Sequence, residues 1–353
     1  MAPKKAVLPR LKHVAEEADV SLTAASRILR GQGEKYALET RNRVMDAAKK
    51  LGWRRNQLVN AMQKGQSKSI GVMIPPFDSF WVEVLYAIHE VVTEAGYMPI
   101  TVWPSGANRP GEFERQKAEG FELINELLDR RVDGLLLWPA YAVAFSEHFP
   151  ELANRIVPMG AIEHVFPSEL AADRVESDDQ SGVSMLVEHL VGLGHTRLAC
   201  LSTREITAQT WAVRRREYFE QAAEAQPGVT YKSWRLNEDG DNGLQVARDL
   251  LTSPFKPTAV FGVSDHEARL IYQAADELAV RVPDDLSVVG FGNLDFAATM
   301  SPGLTTLDRK PGVMGRLLGE LLLARLSHPE QKASTVQVDV EMITRGSTGP
   351  AAD

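Results

Sequence analysis

From Ser69 onward the chain alternates short apolar runs with longer amphipathic stretches, and this rhythm restricts the fold more than any other feature. The runs SIGVMIPP, MPITVWP, DGLLLWP, RIVPMGAI, HTRLACLST, YKSWRLN, PTAVFGVS and DLSVVGFG have the length and composition of strands. Between them lie the helical patterns FWVEVLYAIHEVVTEAGY, FERQKAEGFELINELLDRR, SGVSMLVEHLVGLG, WAVRRREYFEQAAEA, NGLQVARDLLTS and DHEARLIYQAADELAV. Repeated β–α units with apolar strands predict parallel sheets covered by helices on both faces. The strands are too many for one sheet, so two are expected.

Residues 10–67 follow a different plan. The whole chain of 353 residues carries a net charge of −8, which hides an asymmetry. Residues 1–65 hold 14 Lys+Arg against 6 Asp+Glu, and the remainder holds 25 against 41. A basic head on an acidic body predicts a polyanionic partner for the head alone, with a solvated basic face as the alternative. The single cysteine, Cys200, lies in an apolar run, which excludes an internal disulfide and a multi-thiolate metal site. The N-terminus lacks the apolar core of a secretory signal, and no run reaches the ~18–20 apolar residues of a membrane span. A cytoplasmic protein without cofactor or metal is expected.

Within the head, Leu11, Val14, Ala15 and Ala18 recur at helical spacing, so 10–18 reads as a helix. Ser21 is a good N-cap for a second helix over 22–29, which Gly31 and Gly33 end. A third helix covers about 39–51, with Gly52 at its C-terminus. Two short helices joined by a tight turn and followed by a third form a helix-turn-helix pattern.

The run VAEEADVS-x-x-AASRIL, then ETRNRVMDAAKKLGW, then N-x-x-x-x-x-M resembles the DNA-binding head of the lac/gal repressor family (LacI/GalR). The resemblance implies that the second helix enters the major groove. Leu22 and Thr23 would face base edges, and Arg27 would bond two acceptors of a guanine. Ser21, Ser26 and Arg30 would serve phosphates. Ala24 and Ala25 read as core positions. Several residues depart from the family pattern: Asp19 stands for the turn glycine, His13 for Asp, Arg30 for Asn, and Ala37 for a capping Ser.

In this family the segment 53–67 is a hinge that becomes helical on the operator, where paired hinges enter the minor groove. Asn56 matches the family's Asn, and Met62 takes the place of the wedging Leu with Val59 on the same face. Arg55 replaces the usual Pro.

The likeness continues through VESDDQSG, HLVGLGHTRLACL, PTAVFGVSD, RVPDDLSVVGFGN, SPGLTTL and MITRGST, and so covers residues 10–348. It implies a two-lobed body like a type I periplasmic binding protein. The expected organisation is a head at 1–52, a hinge at 53–67, a body at 68–348 and a tail at 349–353. Within the body, lobe 1 takes about 69–165 plus 296–325, and lobe 2 about 166–295 plus 326–348. An effector would bind in the cleft, at the C-terminal ends of strands. The resemblance nominates Phe80, Trp81, Asp178, Arg214, Ser264 and Asp265 for that cleft, with Trp138 and Trp211 as stacking partners or core residues. Arg215 and Arg216 read as surface charge. The family's effector-gripping Asp in GFDD is Gly292 here, leaving Asn293 or Asp295 to substitute.

Paired half-sites imply a two-fold dimer on a pseudo-palindromic operator, with helix 80–95 in the interface. No heptad repeat follows RGST, so no tetramerising coil is expected. The function implied is a ligand-responsive regulator, a repressor of carbohydrate-use genes. A corepressor-dependent or non-sugar regulator, or a solute-binding module, are the alternatives. No Gly-rich phosphate loop, metal triad or nucleophile elbow marks an enzyme.

Overall fold

Three helices build the head: α1 (Leu11–Glu17), α2 (Leu22–Leu29) and α3 (Leu38–Leu51). The computed structural model describes residues 9–54, 66–74, 76, 78–105, 113–138, 156–158, 173–203, 211–236 and 242–351. The α1–α2 turn places Asp19 at φ 50°, the left-handed conformation that a glycine there would adopt freely. Ser21 caps α2 by accepting the Ala24 N–H at 3.1 Å. His13 takes part in capping α1, its Nδ1 accepting the Arg10 N–H at 3.2 Å. Ala37 supplies no side-chain cap to α3, and Gly52 ends that helix at φ 62°. Val14, Ala15, Ala18, Ala25, Ile28, Val44, Ala47 and Ala48 form the core. Five of these eight are alanines, which lets the three short helices approach closely.

The body, from Lys68 onward, is a separate unit. Its first sheet has the parallel order β2–β1–β3–β4, with β1 Ser69–Met73, β2 Met98–Thr101, β3 Gly134–Leu137 and β4 Ile156–Pro158. Helices α4 (Ser79–Glu94) and α5 (Phe113–Asp129) link its first three strands. The second sheet repeats that order as β7–β6–β8–β9, with β6 Arg197–Ser202, β7 Thr230–Arg235, β8 Ala259–Gly262 and β9 Ser287–Val289. Its helices are α7 (Trp211–Glu224), α8 (Gly243–Leu251) and α9 (Asp265–Glu277). Each sheet has an apolar cluster on either face, as the continuous apolar strands predict.

The remaining elements join the lobes. They are β5 (Arg174–Ser177), α6 (Asp179–Gly192), β10 (Thr306–Asp308), α10 (Pro311–Ser327), β11 (Thr335–Val338) and β12 (Glu341–Ile343). The parallel pair β5–β11 contributes Val175, Val336 and Val338 to the first core. The antiparallel pair β10–β12 contributes Leu307 and Met342 to the second. The chain therefore passes between lobes at 177–179, 308–311 and 338–340. This corrects the lobe limits expected from the sequence, which put 173–177 and 326–338 in the second lobe and 296–308 in the first. The partners β5 and β11 are remote in sequence, so no local pattern announces their pairing. Helix α10 packs on α4 so closely that a Cβ on Gly315 would stand 2.4 Å from the Val84 carbonyl oxygen. The C-terminal residues are also held. His195 and Ser287 converge on the Gly349 carbonyl, and the Ala351 N–H donates to the Leu193 carbonyl.

One ion pair locks the crossover strands. Arg325 at the end of α10 grips Asp173 through Nε–Oδ2 at 2.8 Å and Nη2–Oδ1 at 2.9 Å. The Ser334 N–H donates to the same carboxylate at 2.9 Å, just before β11. Burial pushes the Asp173 carboxyl up, but the hydrogen bonds from Arg325 and Ser334 with the Arg325 charge outweigh it and hold it below its usual value. A carboxyl depressed in the fold stabilises it fully above its unfolded pKa and loses that contribution as pH falls through the folded one. Urea unfolding below about pH 4 should therefore show an acid-induced loss that Asp173→Asn lacks; parallel pH profiles would refute this.

Candidate functional site

Helix α2 divides its residues between two faces. Ala24, Ala25 and Ile28 are buried in the head core, while Ser21, Leu22, Thr23, Arg27 and Arg30 are exposed and Ser26 is half-buried. Leu22 is 53% exposed, so packing within the head does not account for it. The Arg27 side chain makes no hydrogen bond or ion pair among the described residues. An apolar side chain and a free guanidinium on the first turns of one short helix match what a base edge offers: a thymine methyl and the two guanine acceptors. Asn56, Val59 and Met62 lie outside the described residues.

The body assembles its second site at the C-terminal ends of the strands. In each sheet the first strand has the second on one side and the third on the other, so the chain direction switches between the first and third strands, where a crevice opens. Asp78 and Phe80 follow β1, and Trp138 follows β3. Asp178 and Asp179 follow β5, Ser264 and Asp265 follow β8, Phe291 follows β9, and Arg309 follows β10.

A buried ion pair sits there. Arg215 on α7 is 2% exposed and donates from Nε to Asp179 Oδ2 at 2.7 Å and from Nη1 to the Val263 carbonyl at 3.0 Å. Its guanidinium also faces Phe291 at 3.6 Å and Trp211 at 4.7 Å. The expectation of Arg215 as surface charge is thus overturned. The family motif R-x-x-G-aromatic, read on RRREY with Glu217 for the Gly, takes Tyr218 as its aromatic and so nominates Arg214. The core takes Phe219 instead, so Arg215, one turn earlier on the same face, goes inside while Arg214 stays half-exposed. The Asp pair shifts in the same way. Asp178 caps α6 by accepting the Ser181 N–H, and Asp179 reaches Arg215.

Arg309 is a second buried guanidinium, which the sequence reading did not single out. It lies at the second crossover with its Cζ 3.4 Å from the Phe80 ring centroid. Phe80 and Trp81 are core residues, meeting edge to face at 5.1 Å, so Phe80 presents its ring to the arginine. Trp138 and Trp211 remain half-buried at the ends of β3 and the start of α7.

Asp265 is wholly buried and accepts from Thr306 Oγ1 at 2.5 Å and the Leu294 N–H at 2.7 Å. A Cβ on Gly290 would come 2.2 Å from its Oδ1, so only glycine fits beside it. Asp265 therefore holds the 290–294 loop in place. Ser264 caps α9 through the His266 N–H and donates to Glu267. Gly292 has φ 134°, which an Asp there would adopt only with strain. Asn293 does not stand free to replace that Asp, because its amide donates to Asp308 at 2.9 Å and accepts from Arg345 at 2.8 Å.

Two family models match the chain: bacterial regulatory proteins, lacI family, over residues 10–56, and the periplasmic binding protein-like domain over residues 187–348. The HTH-type transcriptional repressor PurR of Shigella dysenteriae is 27% identical over 97% of this chain and 98% of its own length. The chain belongs to the lacI family of bacterial regulatory proteins. It is a ligand-responsive, DNA-binding transcriptional repressor with a helix-turn-helix head and a periplasmic-binding-protein-like body. Solved lacI-family folds superpose along its length. The lac repressor bound to ONPG in its repressed state has a TM-score of 0.80 at 23% identity, covering 97% of this chain and 100% of that one. A complex of the transcriptional regulator CelR with cellobiose has a TM-score of 0.65 at 22% identity, covering 96% and 99%. No helix among the described residues is long and apolar enough to cross a membrane. Cys200 is fully buried, and burial pushes its thiol well up, which removes it from thiol chemistry.

Proposed function

We propose that the protein is a cytoplasmic homodimer whose paired heads hold a pseudo-palindromic operator controlling carbohydrate-use genes, and whose cleft ligand sets the fit of the hinges. The observation that carries this reading is the exposed Leu22–Thr23–Arg27 face on a basic head joined to a cleft lined by strand ends. Tyr86 and Val82 on α4 and Val313 on α10 are large apolar side chains left in solvent, and they fit a subunit interface along these helices. Cellobiose in the CelR complex supports a sugar as the ligand class. Within this reading Ser21, Ser26 and Arg30 hold phosphates, Asn56, Val59 and Met62 enter the minor groove, and Trp138, Trp211 and Arg214 line the entrance of the cleft.

The test uses the full chain and a duplex selected from a random pool. Affinity should fall steeply with salt, because each phosphate contact releases counterions. One member of a panel of sugars, sugar acids, sugar phosphates and nucleobases should change operator affinity by about 5–150-fold. Salt-insensitive binding would refute the DNA role, and a panel without effect on operator affinity would refute control from the cleft.

A further inference from the structure

Among the described residues of the cleft, two buried guanidiniums keep hydrogen-bond donors that the protein does not use. Arg215 uses Nε and Nη1 within the protein, but its Nη2 is buried without a partner. Arg309 is 6% exposed, its Nε is buried without a partner, and it makes no hydrogen bond or ion pair among the described residues. Its one contact of note is the Phe80 ring. Burial lowers its pKa to about 9, and the nearby charge of Arg215 adds to that. A buried guanidinium without hydrogen bonds is costly, and a fold keeps one where something else completes it.

Among the described residues, the three carboxylates that act on Arg309 are already engaged. Asp179 accepts from Ser177 and Arg215. Asp265 accepts from Thr306 and Leu294, and Asp78 accepts from the Trp81 N–H and faces His266 at 3.7 Å. Burial pushes the carboxyls of Asp265 and Glu267 up, towards their neutral forms. Asp78, Asp179 and Asp265 all act on Arg309 favourably, yet they do not offset its burial and the repulsion of Arg215.

We infer that the effector of this repressor is an oxyanion, a carboxylate or phosphate carried on a small polar molecule, whose charged group is gripped by Arg309 together with Arg215. The inference rests on the reading that the cleft binds the effector. A carboxylate or phosphate offers paired acceptors that suit the guanidinium donors left unpaired by the protein. Arg309 also lies at a crossover between lobes, between β10 of the second and α10 of the first. An anion bound to it would act where the lobes turn on one another.

Thermal melting of the full chain tests this with inorganic phosphate as probe, against chloride at equal ionic strength. The wild-type melting temperature should rise saturably, by about 3–5 °C at tenfold the apparent Kd. The rise should vanish in Arg309→Met and persist, weakened, in Arg309→Lys. Without anion, Arg309→Met should melt above wild type, because a bare buried charge has been replaced by an apolar side chain of similar length. A phosphate shift unchanged in Arg309→Met, no shift in wild type, or a variant melting below wild type would overturn the proposal by making Arg309 a packing element. Gluconate and glucuronate against glucose 6-phosphate and ribose 5-phosphate then separate carboxylate from phosphate carriers. If only glucose, cellobiose, ribose or hypoxanthine alters melting and operator affinity, the cleft is an effector site and the anion is wrong. If nothing alters operator affinity, the effector reading itself falls.

Discussion

Asp179→Ala should destabilise the body by about 3–5 kcal/mol, the cost of leaving a buried charge without its partner. Both side chains of this pair are buried, at 10% and 2% exposure, so water does not replace the lost carboxylate. Arg215 would keep one hydrogen bond, to the Val263 carbonyl, and two aromatic faces. A desolvated cation–π contact contributes about 2 kcal/mol, less than the several kcal/mol of desolvation that an unpaired ion carries. Urea unfolding of the full chain, followed by a probe of the body, gives the measurement. Asp179→Ala with Arg215→Met should regain most of the loss, because the charge and its partner are then both gone. A single-variant loss under about 1 kcal/mol, the level of an exposed pair, would mean that the guanidinium finds water and that the pair is not structural.

Arg27→Ala is expected to weaken operator binding by about 1–3 kcal/mol in each half-site, counted twice in a symmetric dimer. The side chain is exposed and unpartnered in the head, so thermal stability should stay within about 0.5 kcal/mol of wild type. Loss of a guanine-reading guanidinium relaxes discrimination at one base pair of each half-site. Arg30→Ala should differ in kind, weakening all duplexes alike and reducing the salt slope by about 1. Selection of duplexes with each variant separates the two. An Arg27 variant that loses affinity evenly across sequences would move that residue from base reading to phosphate contact.

The head was legible because its determinants are local. The Ser21 cap, the Asp19 turn, the Gly52 stop and the i, i+3 and i+4 apolar positions all act within one or two helical turns. The sheets of the body were legible for the same reason, since each β–α unit carries its own pattern and the order of the first sheet recurs in the second. Helix α10 was missed, although PGVMGRLLGELLLARLS opens with a proline and closes with a basic residue. Its three glycines weaken the helical signal, and Gly315 is needed only because α4 lies against it.

In the cleft the resemblance nominates Arg214 and Asp178, each one residue before the buried partners Arg215 and Asp179, and it carries no signal for Arg309. A helix turns about 100° per residue, so matching the family motif on Tyr218 rather than on the buried Phe219 puts Arg214 in the place of Arg215. Which aromatic is buried depends on β8 and α6 packing beneath the helix, not on the helix itself. The same one-residue shift separates Asp178, which caps α6, from Asp179, which binds Arg215. By itself the sequence determined the elements, the basic reading head and the two-lobed plan, because those follow from short-range periodicity and charge. Only the tertiary structure decided that β5 pairs with β11, that Arg215 and Arg309 are both buried with donors to spare, and that Asp265 and Asn293 are bound into the frame. Those outcomes depend on contacts between distant segments, where burial decides what each charge must find as a partner.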